Sequence, residues 1–233
     1  MFKLVIDAGH GKETLKRCMK SLDPNQTPEW VLNARIADKL EAILKEYSGI
    51  EILRTDDRTG KTDVLLRTRT DNANAWGADF FLSIHHNGGI NGGKGGGIIA
   101  ITYPNVGEST KAWQKELYNA LIATTGLKGN RSNPLPTQNL HVCRETKMDA
   151  VLLELGFMDS ATDVPIILTE EFADQCAAAI AAVIVKRAGL KRKTAETLYR
   201  VQVGSFKSRA SAESLWEQLR KDGYKGFIVK VTK

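Results

Sequence analysis

The sequence predicts an α/β fold, a largely parallel sheet covered by helices, with a small second module at its C-terminal end. Three observations predict it. From residue 2 to residue 189, short β-rich runs alternate with helix-length amphipathic segments, the order that builds βαβ units. Three of those runs finish on or just before chemically capable side chains, His10, His85 and Glu154. The charge is also divided. Residues 186–233 carry 13 Lys/Arg against 4 Asp/Glu, a net +9, whereas residues 1–185 are net −3. A basic tail behind a mildly acidic body points to two modules with different work.

The elements follow in order. Residues 2–7 form a β-rich run that ends at Ala8-Gly9-His10-Gly11. Residues 28–47 predict a helix, with Leu32, Ile36, Leu40, Ile43, Leu44 and Tyr47 at steps of three and four. Residues 50–54 read as a strand, and Thr62 as the cap of a helix through Leu65, Leu66 and Ala73. A second strong strand covers 80–85; a Gly-rich loop, 88–97, leads into a strand at 98–103 and a helix at 108–125. Gly, Pro and Asn mark 126–139 as loop. Residues 150–155 are a continuous apolar run broken only by Glu154, and a helical stretch begins at Ser160 and ends near Gly189. Residues 190–197 read as a linker centred on Lys191-Arg192-Lys193-Thr194, and 198–233 as one strand–helix–strand unit.

Composition narrows the class. With 233 residues, 42% hydrophobic and 26% charged, the chain is an ordinary globular protein rather than a disordered or fibrous one. No apolar run approaches the roughly 20 residues that cross a bilayer, so no membrane span is expected. The opening Met-Phe-Lys-Leu-Val-Ile-Asp reads as a first strand and not as a signal peptide. Three scattered cysteines, Cys18, Cys143 and Cys176, argue against a disulfide scaffold and for synthesis in a reducing compartment.

Sites in open α/β sheets form at the carboxyl ends of the strands, which is where His10, His85 and Glu154 fall. Glu29 joins them: it stands three residues before Leu32 and seven before Ile36, on the apolar stripe of its helix. A carboxylate on a core-facing stripe must be paired, protonated or metal-bound. Two imidazoles and one carboxylate with an open fourth position make a catalytic zinc set. Blander readings stand beside this one. His10 suits a hydrogen-bonded loop, Glu29 suits the dipole of a first helical turn, and Glu154 suits a nearby arginine. His86 follows His85 and points to the other side of the strand, so one of the two is the expected ligand. His141 is expected in a core or ligand-supporting role.

A resemblance rests on specific residues. Asp-Ala-Gly-His-Gly (7–11), Glu29 with Asn33 and Leu40, Arg54-Thr-Asp-Asp57, Leu66-x-x-Arg69 with Ala73-Asn74, Ser83-Ile-His-His-Asn87 and Val151-Leu-Leu-Glu-Leu-Gly-Phe157 resemble the zinc-dependent N-acetylmuramoyl-L-alanine amidases of the Amidase_3 type, over about residues 2–187. The resemblance implies a twisted mixed sheet flanked by helices. It implies zinc (Zn2+) held by His10, Glu29 and His85, with Glu154 as the catalytic carboxylate. The substrate it implies is bacterial peptidoglycan, cut between N-acetylmuramic acid and L-alanine. Asn87 and Arg131 are candidates for substrate contact, with loop roles as the alternative. The sequence departs from the pattern at His86, where the family commonly has a small residue, and in the Gly-rich loop after it. A zinc peptidase acting within the stem peptide and a non-catalytic wall-binding protein are the alternatives.

The tail resembles one repeat of a SPOR domain, through Tyr199-Arg-Val-Gln-Val-Gly-Ser-Phe206, residues 210–219, Gly223-Tyr224 and residues 227–231. The resemblance implies peptidoglycan binding. A full domain holds two such halves, and fewer than about 40 residues rarely fold alone. Two chains are expected to pair their half-repeats as a homodimer, with packing of the tail on its own chain's first domain as the alternative. The tail lacks an RNA-binding signature, and nucleic acid is not an expected partner. A wall enzyme without a leader is expected to be made in the cytoplasm and released as a phage or prophage endolysin is, or by lysis of a sporulating mother cell.

Overall fold

A computed structural model describes residues 1–194 and 201–230. The elements run β1 (Phe2–Ala8), α1 (Glu29–Leu44), β2 (Tyr47–Ser48), β3 (Ile50–Arg54), α2 (Leu66–Trp76), β4 (Phe80–Asn87), β5 (Ile98–Ile101), α3 (Glu108–Thr125), α4 (His141–Arg144), β6 (Asp149–Phe157), α5 (Val164–Ile167), α6 (Glu170–Ala188), β7 (Lys191–Arg192) and α7 (Arg209–Lys221). The five-stranded sheet has the order β3-β1-β4-β6-β5. Its pairs are parallel except β5 on β6, which is antiparallel. The expected mixed, largely parallel sheet is present. The chain forms two units, Met1–Lys193 and Thr194–Lys233.

Period-two alternation divides the core of the first unit between the two sheet faces. Leu4, Ile6, Phe80, Leu82, Ile84, Val151 and Leu153 pack with α1, α3 and α6 in one buried cluster. Val5, Phe81, Ile99, Ala150 and Leu152 pack with Ala73 of α2 and Val142 and Cys143 of α4 in the other. The first face is the larger because three long helices cover it. There Trp113 stacks on Phe80 with ring centroids 4.1 Å apart, and the Arg187 guanidinium lies 4.2 Å over the Trp113 ring.

Several boundaries differ from the sequence reading. Helix α2 begins at Leu66 with Leu65 as its N-cap, and Thr62 caps nothing: its N–H donates to Asp57 Oδ2 at 3.0 Å. Leu65 and Leu66 are exposed, so they were poor markers of a core-facing stripe. The stretch from Ser160 is a turn, the short α5 and then α6. Residues 191–193, read as linker, belong to the first unit. β7 pairs antiparallel with β2, and Lys193 N–H donates to Glu46 O at 2.8 Å. Residues 195–197 of that linker lie outside the described residues.

The second unit contains the expected helix, α7, capped by Ser208, whose side chain accepts from Ser211 N–H. Among the described residues the two expected flanking strands do not pair. Residues 201–206 and 224–230 form no ladder among the described residues, and residues 198–200 and 231–233 lie outside them. A strand needs a neighbour to bond to, and one half-repeat supplies little choice of neighbour.

One buried polar knot joins three strands and α2. Asp7 is 1% exposed. Its Oδ1 accepts from Arg69 Nη1 at 2.7 Å and Thr55 Oγ1 at 2.8 Å, and its Oδ2 from Ser83 Oγ at 2.7 Å. Burial alone would raise the Asp7 pKa; the Arg69 ion pair and the donated hydrogen bonds outweigh it and hold the carboxyl ionised. Arg69, itself 1% exposed, also donates to Ala8 O (2.8 Å), His10 O (3.1 Å) and Val64 O (2.8 Å). Replacing Arg69 by Met strands a buried carboxylate, and Arg69→Met is expected to lose about 3–5 kcal/mol of stability. Urea unfolding of the two proteins measures it; a loss under 1 kcal/mol would contradict the knot's importance.

Candidate metal centre

Three elements bring the predicted residues together at the carboxyl edge of the sheet. His10 follows β1, His85 lies near the end of β4, and Glu29 is the first residue of α1. Their candidate ligand atoms all lie within 4.8 Å of one another. His10 Nε2 is 3.2 Å from Glu29 Oε2, and His85 Nδ1 is 2.9 Å from Glu29 Oε1. The two imidazoles meet edge to face, with centroids 4.9 Å apart.

The local sequence explains the convergence. Asp56 Oδ1 accepts from Ala8 N–H at 3.4 Å, and Arg69 grips the carbonyls of Ala8 and His10. His10 itself is held at φ 65°, in the left-handed region, a conformation costing a non-glycine residue about 1–2 kcal/mol. Gly9 has a different task. A Cβ there would fall 2.0 Å from His85 Cε1, so the His85 ring occupies space that only glycine leaves open. Just past the site, β4 and β6 shift register between His85 and Asn87. Gly156 stands in β6 at φ 101° within that shift, and a Cβ there would meet Ile167 Cγ2 at 2.7 Å.

Glu29 is fully buried, and its two oxygens differ. Oε1 faces His85 Nδ1 and takes the His86 N–H at 3.1 Å and the Asn33 amide at 3.3 Å. Oε2 has no hydrogen-bond partner, and neither does the buried His10 Nε2 beside it. Burial would raise the Glu29 pKa, but the close approach and charge of His10 and His85 overcome it and keep the carboxylate ionised. For His85 burial works against the charged form, and Glu29 outweighs it, raising the pKa. A fully buried anion with one oxygen unsatisfied, facing an unsatisfied imidazole nitrogen, is a set of donors suited to a divalent cation.

Glu154 stands on β6 directly beside His85 on β4. Its Oε2 is buried and unpartnered. Burial pushes its pKa up to about 7; Glu29 adds to the rise, while His85 and Lys16 oppose it. The reading of Glu154 as an arginine's partner fails, for no ion pair to it occurs among the described residues. His86 lies with Leu82 and Ile84 by strand alternation, on the face that α1 covers, and its Nδ1 meets Asn33 Oδ1 at 2.8 Å. Burial lowers the His86 pKa to about 3 and keeps the ring neutral.

The other candidates make contacts of their own. Asn87 turns its Oδ1 to its neighbour Gly88 N–H at 2.8 Å. The Arg131 guanidinium lies 4.6 Å over the Phe157 ring, three residues beyond Glu154. His141 Nε2 meets Thr70 Oγ1 at 3.2 Å and ties α4 to α2. Sequence reasoning missed Lys16, whose Nζ is 4.0 Å from Glu29 Oε2 at the site's mouth. It also missed Asp159 and Asp163, which anchor the Gly-rich loop: Asp159 Oδ2 accepts from Gly89 and Asn91 N–H, and Asp163 Oδ2 from Gly97 N–H. An Asp at a strand end gives no local signal of a partner some 70 residues away.

A buried acidic and imidazole cluster with a facing carboxylate, set on the edge of an α/β sheet, is the working edge of a hydrolytic enzyme. Comparison with known proteins makes this specific. Residues 4–186 match the family described as N-acetylmuramoyl-L-alanine amidase, and residues 171–233 match the SPOR domain. The chain is similar to the sporulation-specific N-acetylmuramoyl-L-alanine amidase of Bacillus subtilis (strain 168), 35% identical over 98% of this chain and 85% of that protein. It is also similar to the endolysin of Bacillus phage SPP1, 29% identical over 83% of this chain and 69% of that one. Among solved structures it resembles the catalytic domain of CwlV, an N-acetylmuramoyl-L-alanine amidase from Bacillus (Paenibacillus) polymyxa var. colistinus. That likeness has a TM-score of 0.71 at 30% identity and covers 82% of this chain and all of that domain. The chain belongs to the N-acetylmuramoyl-L-alanine amidase family. The two family matches overlap over residues 171–186, which lie in α6 and are packed into the first unit through Phe172, Ala173, Cys176 and Ile180.

Because the His85 ring fills the space over residue 9, Gly9→Ala is expected to displace His85 and to weaken any hold of the His10–Glu29–His85 cluster on an added divalent cation. Metal analysis after dialysis against buffered zinc checks this. Full occupancy in the variant would show that the ring can move without cost to the site.

Proposed function

We propose that the chain hydrolyses the amide between the lactyl group of N-acetylmuramic acid and the first L-alanine of the peptidoglycan stem peptide, with one zinc ion held by His10, Glu29 and His85. The observation that carries this reading is the meeting of unpartnered His10 Nε2 and Glu29 Oε2 at one edge, with the unpartnered Glu154 Oε2 on the strand beside His85. The family membership supplies the substrate. Zinc, when bound, supplies a Lewis acid for water and for the amide carbonyl.

The chain's own residues do the rest. Glu154 Oε2 accepts a proton from the attacking water and delivers it to the amide nitrogen as the C–N bond breaks. The products are the lactyl carboxylate and the free amine of L-alanine. A carboxyl that burial raises to about 7 exchanges protons readily near neutral pH. Glu29 holds negative charge without protonating, since His10 and His85 keep its pKa down. Asn87 and Arg131 are proposed to contact the glycan or peptide on either side of the bond; both keep polar atoms outside the core. Release by lysis, of a host cell or of a sporulating mother cell, is the proposed route to the wall. Similarity to a sporulation-specific amidase and to an endolysin supports it.

We further assign wall binding and self-association to the second unit. The SPOR match and the net +9 of residues 186–233 support wall binding. Val201, Val203, Phe206, Tyr224, Phe227 and Ile228 are exposed, and the residues that would complete the matched domain on its N-terminal side are committed to α6. A second copy's half-repeat offers those side chains an equivalent partner about a two-fold axis.

Glu154→Gln is expected to retain zinc and fold while turnover falls roughly 100- to 10,000-fold. Digests of purified wall by the unaltered protein should yield free L-alanine amino groups without new reducing sugars. New ends within the stem peptide, or near-normal activity of the Gln variant, would overturn the assignment.

Light scattering of the full chain is expected to give about twice the 25.7 kDa chain mass. The protein cut after Lys193 should be monomeric and bind whole walls less well, and wall retention of the full chain should fall as salt screens its charge. A full chain monomeric at micromolar concentration would contradict the pairing.

A further inference from the structure

We propose that His86 is a positioning residue which, acting through Asn33, fixes which oxygen of Glu29 is left for the metal; the inference rests on the metal reading above. His86 is 2% exposed and Asn33 fully buried, and neither touches the reacting atoms in the mechanism. Three contacts define their arrangement. The Asn33 amide nitrogen faces Gly9 O at 3.1 Å and Glu29 Oε1 at 3.3 Å, and the Asn33 Oδ1 faces His86 Nδ1 at 2.8 Å.

The orientation of this amide is forced by its partners. Gly9 O is an acceptor only, and so is an ionised Glu29 carboxylate. Turning the amide over would set Asn33 Oδ1 against both of them in a buried, low-dielectric space. The nitrogen must therefore face Gly9 and Glu29, and the oxygen must face His86. His86 then has to donate, which places its proton on Nδ1. The sequence of constraints runs from His86 to Asn33 to Glu29 Oε1. That oxygen also takes the His86 backbone N–H at 3.1 Å and faces His85 Nδ1 at 2.9 Å. Oε1 is saturated and Oε2 is not.

Removing the His86 donor leaves Asn33 Oδ1 buried without a partner, and the amide gains a reason to turn. Its nitrogen then no longer fixes the Glu29 carboxylate or the Gly9 carbonyl, one residue before His10. Supporting partners of this kind alter metal affinity about 10- to 100-fold when lost. The assigned role also explains why a bulky polar residue at 86 is compatible with the site: it replaces nothing in the cluster and donates from the helix-covered face.

The test compares amides that reproduce different imidazole nitrogens. The side-chain nitrogen of His86→Asn stands near the place of Nδ1; that of His86→Gln reaches toward the place of Nε2. Zinc affinity is measured by competition with a chromophoric chelator, and the cobalt-loaded proteins are compared by visible absorption. Metal-free thermal unfolding is followed alongside. His86→Gln and His86→Ala are expected to weaken zinc binding about 10- to 100-fold and to alter the cobalt spectrum, whereas His86→Asn stays near the unaltered protein in both. His86→Ala with unchanged affinity and spectrum, or rescue by Gln as complete as by Asn, would overturn the inference. If the unaltered protein binds zinc and the variants do not differ, this inference alone falls. If the unaltered protein binds none, the metal reading falls with it.

Discussion

A fully buried carboxylate, that of Glu29, sets the terms for the rest of the site. An ionised carboxyl group out of water is costly unless charge and hydrogen bonds surround it. Glu29 meets that demand from three directions, through His10, His85 and the Asn33–His86 pair. The N-terminus of α1 adds a favourable dipole, because Glu29 is its first helical residue. Every part that contributes a partner must be held in register with α1, which is why β1, β4 and the loop after β1 are tied so tightly at this edge.

The ties are of two kinds. Polar ones lie under the loop, where Asp7, Arg69, Thr55 and Ser83 form a closed network and Arg69 spends its remaining donors on the carbonyls of Ala8, His10 and Val64. Steric ones lie above it, where Gly9 leaves room for the His85 ring and Gly156 lets β6 change register beside the site. The left-handed backbone at His10 is the local strain that this scaffold sustains. The surroundings also set two carboxylates apart. Glu29 is kept ionised by its imidazole partners, while Glu154, lacking any hydrogen-bond partner at Oε2, has its pKa raised by burial. Two glutamates thus acquire opposite pKa shifts from their surroundings, the division that the proposed roles require.

Much of this was legible in the sequence because it follows from periodicity. The strand at residues 50–54 and the helix at 108–125 agree with β3 and α3. The apolar stripe that put Glu29 on the core side of α1 is the stripe that buries it. His10, Glu29 and His85 do converge, and strand alternation separates His86 from His85. What periodicity could not show is long-range. Asp159, Asp163 and Lys16 have partners set by loops, and Asn33 reads as one polar residue on a helix until the amide's neighbours are known. The strands of the tail were expected from the strand–helix–strand pattern and its half-repeat resemblance, but a strand becomes a ladder only when another strand lies beside it, and half a repeat does not guarantee one.

In the proposed centre His10, Glu29 and His85 together hold one zinc ion, with Glu154 beside it but not bound. Crystals of the zinc-loaded protein, with anomalous data collected on both sides of the zinc absorption edge, test it most directly. The expected result is a single strong anomalous peak bonded to one nitrogen of each of His10 and His85 and to a carboxylate oxygen of Glu29. A peak ligated by His86 or Glu154 in place of any of these three, or no peak at this edge of the sheet, would contradict it.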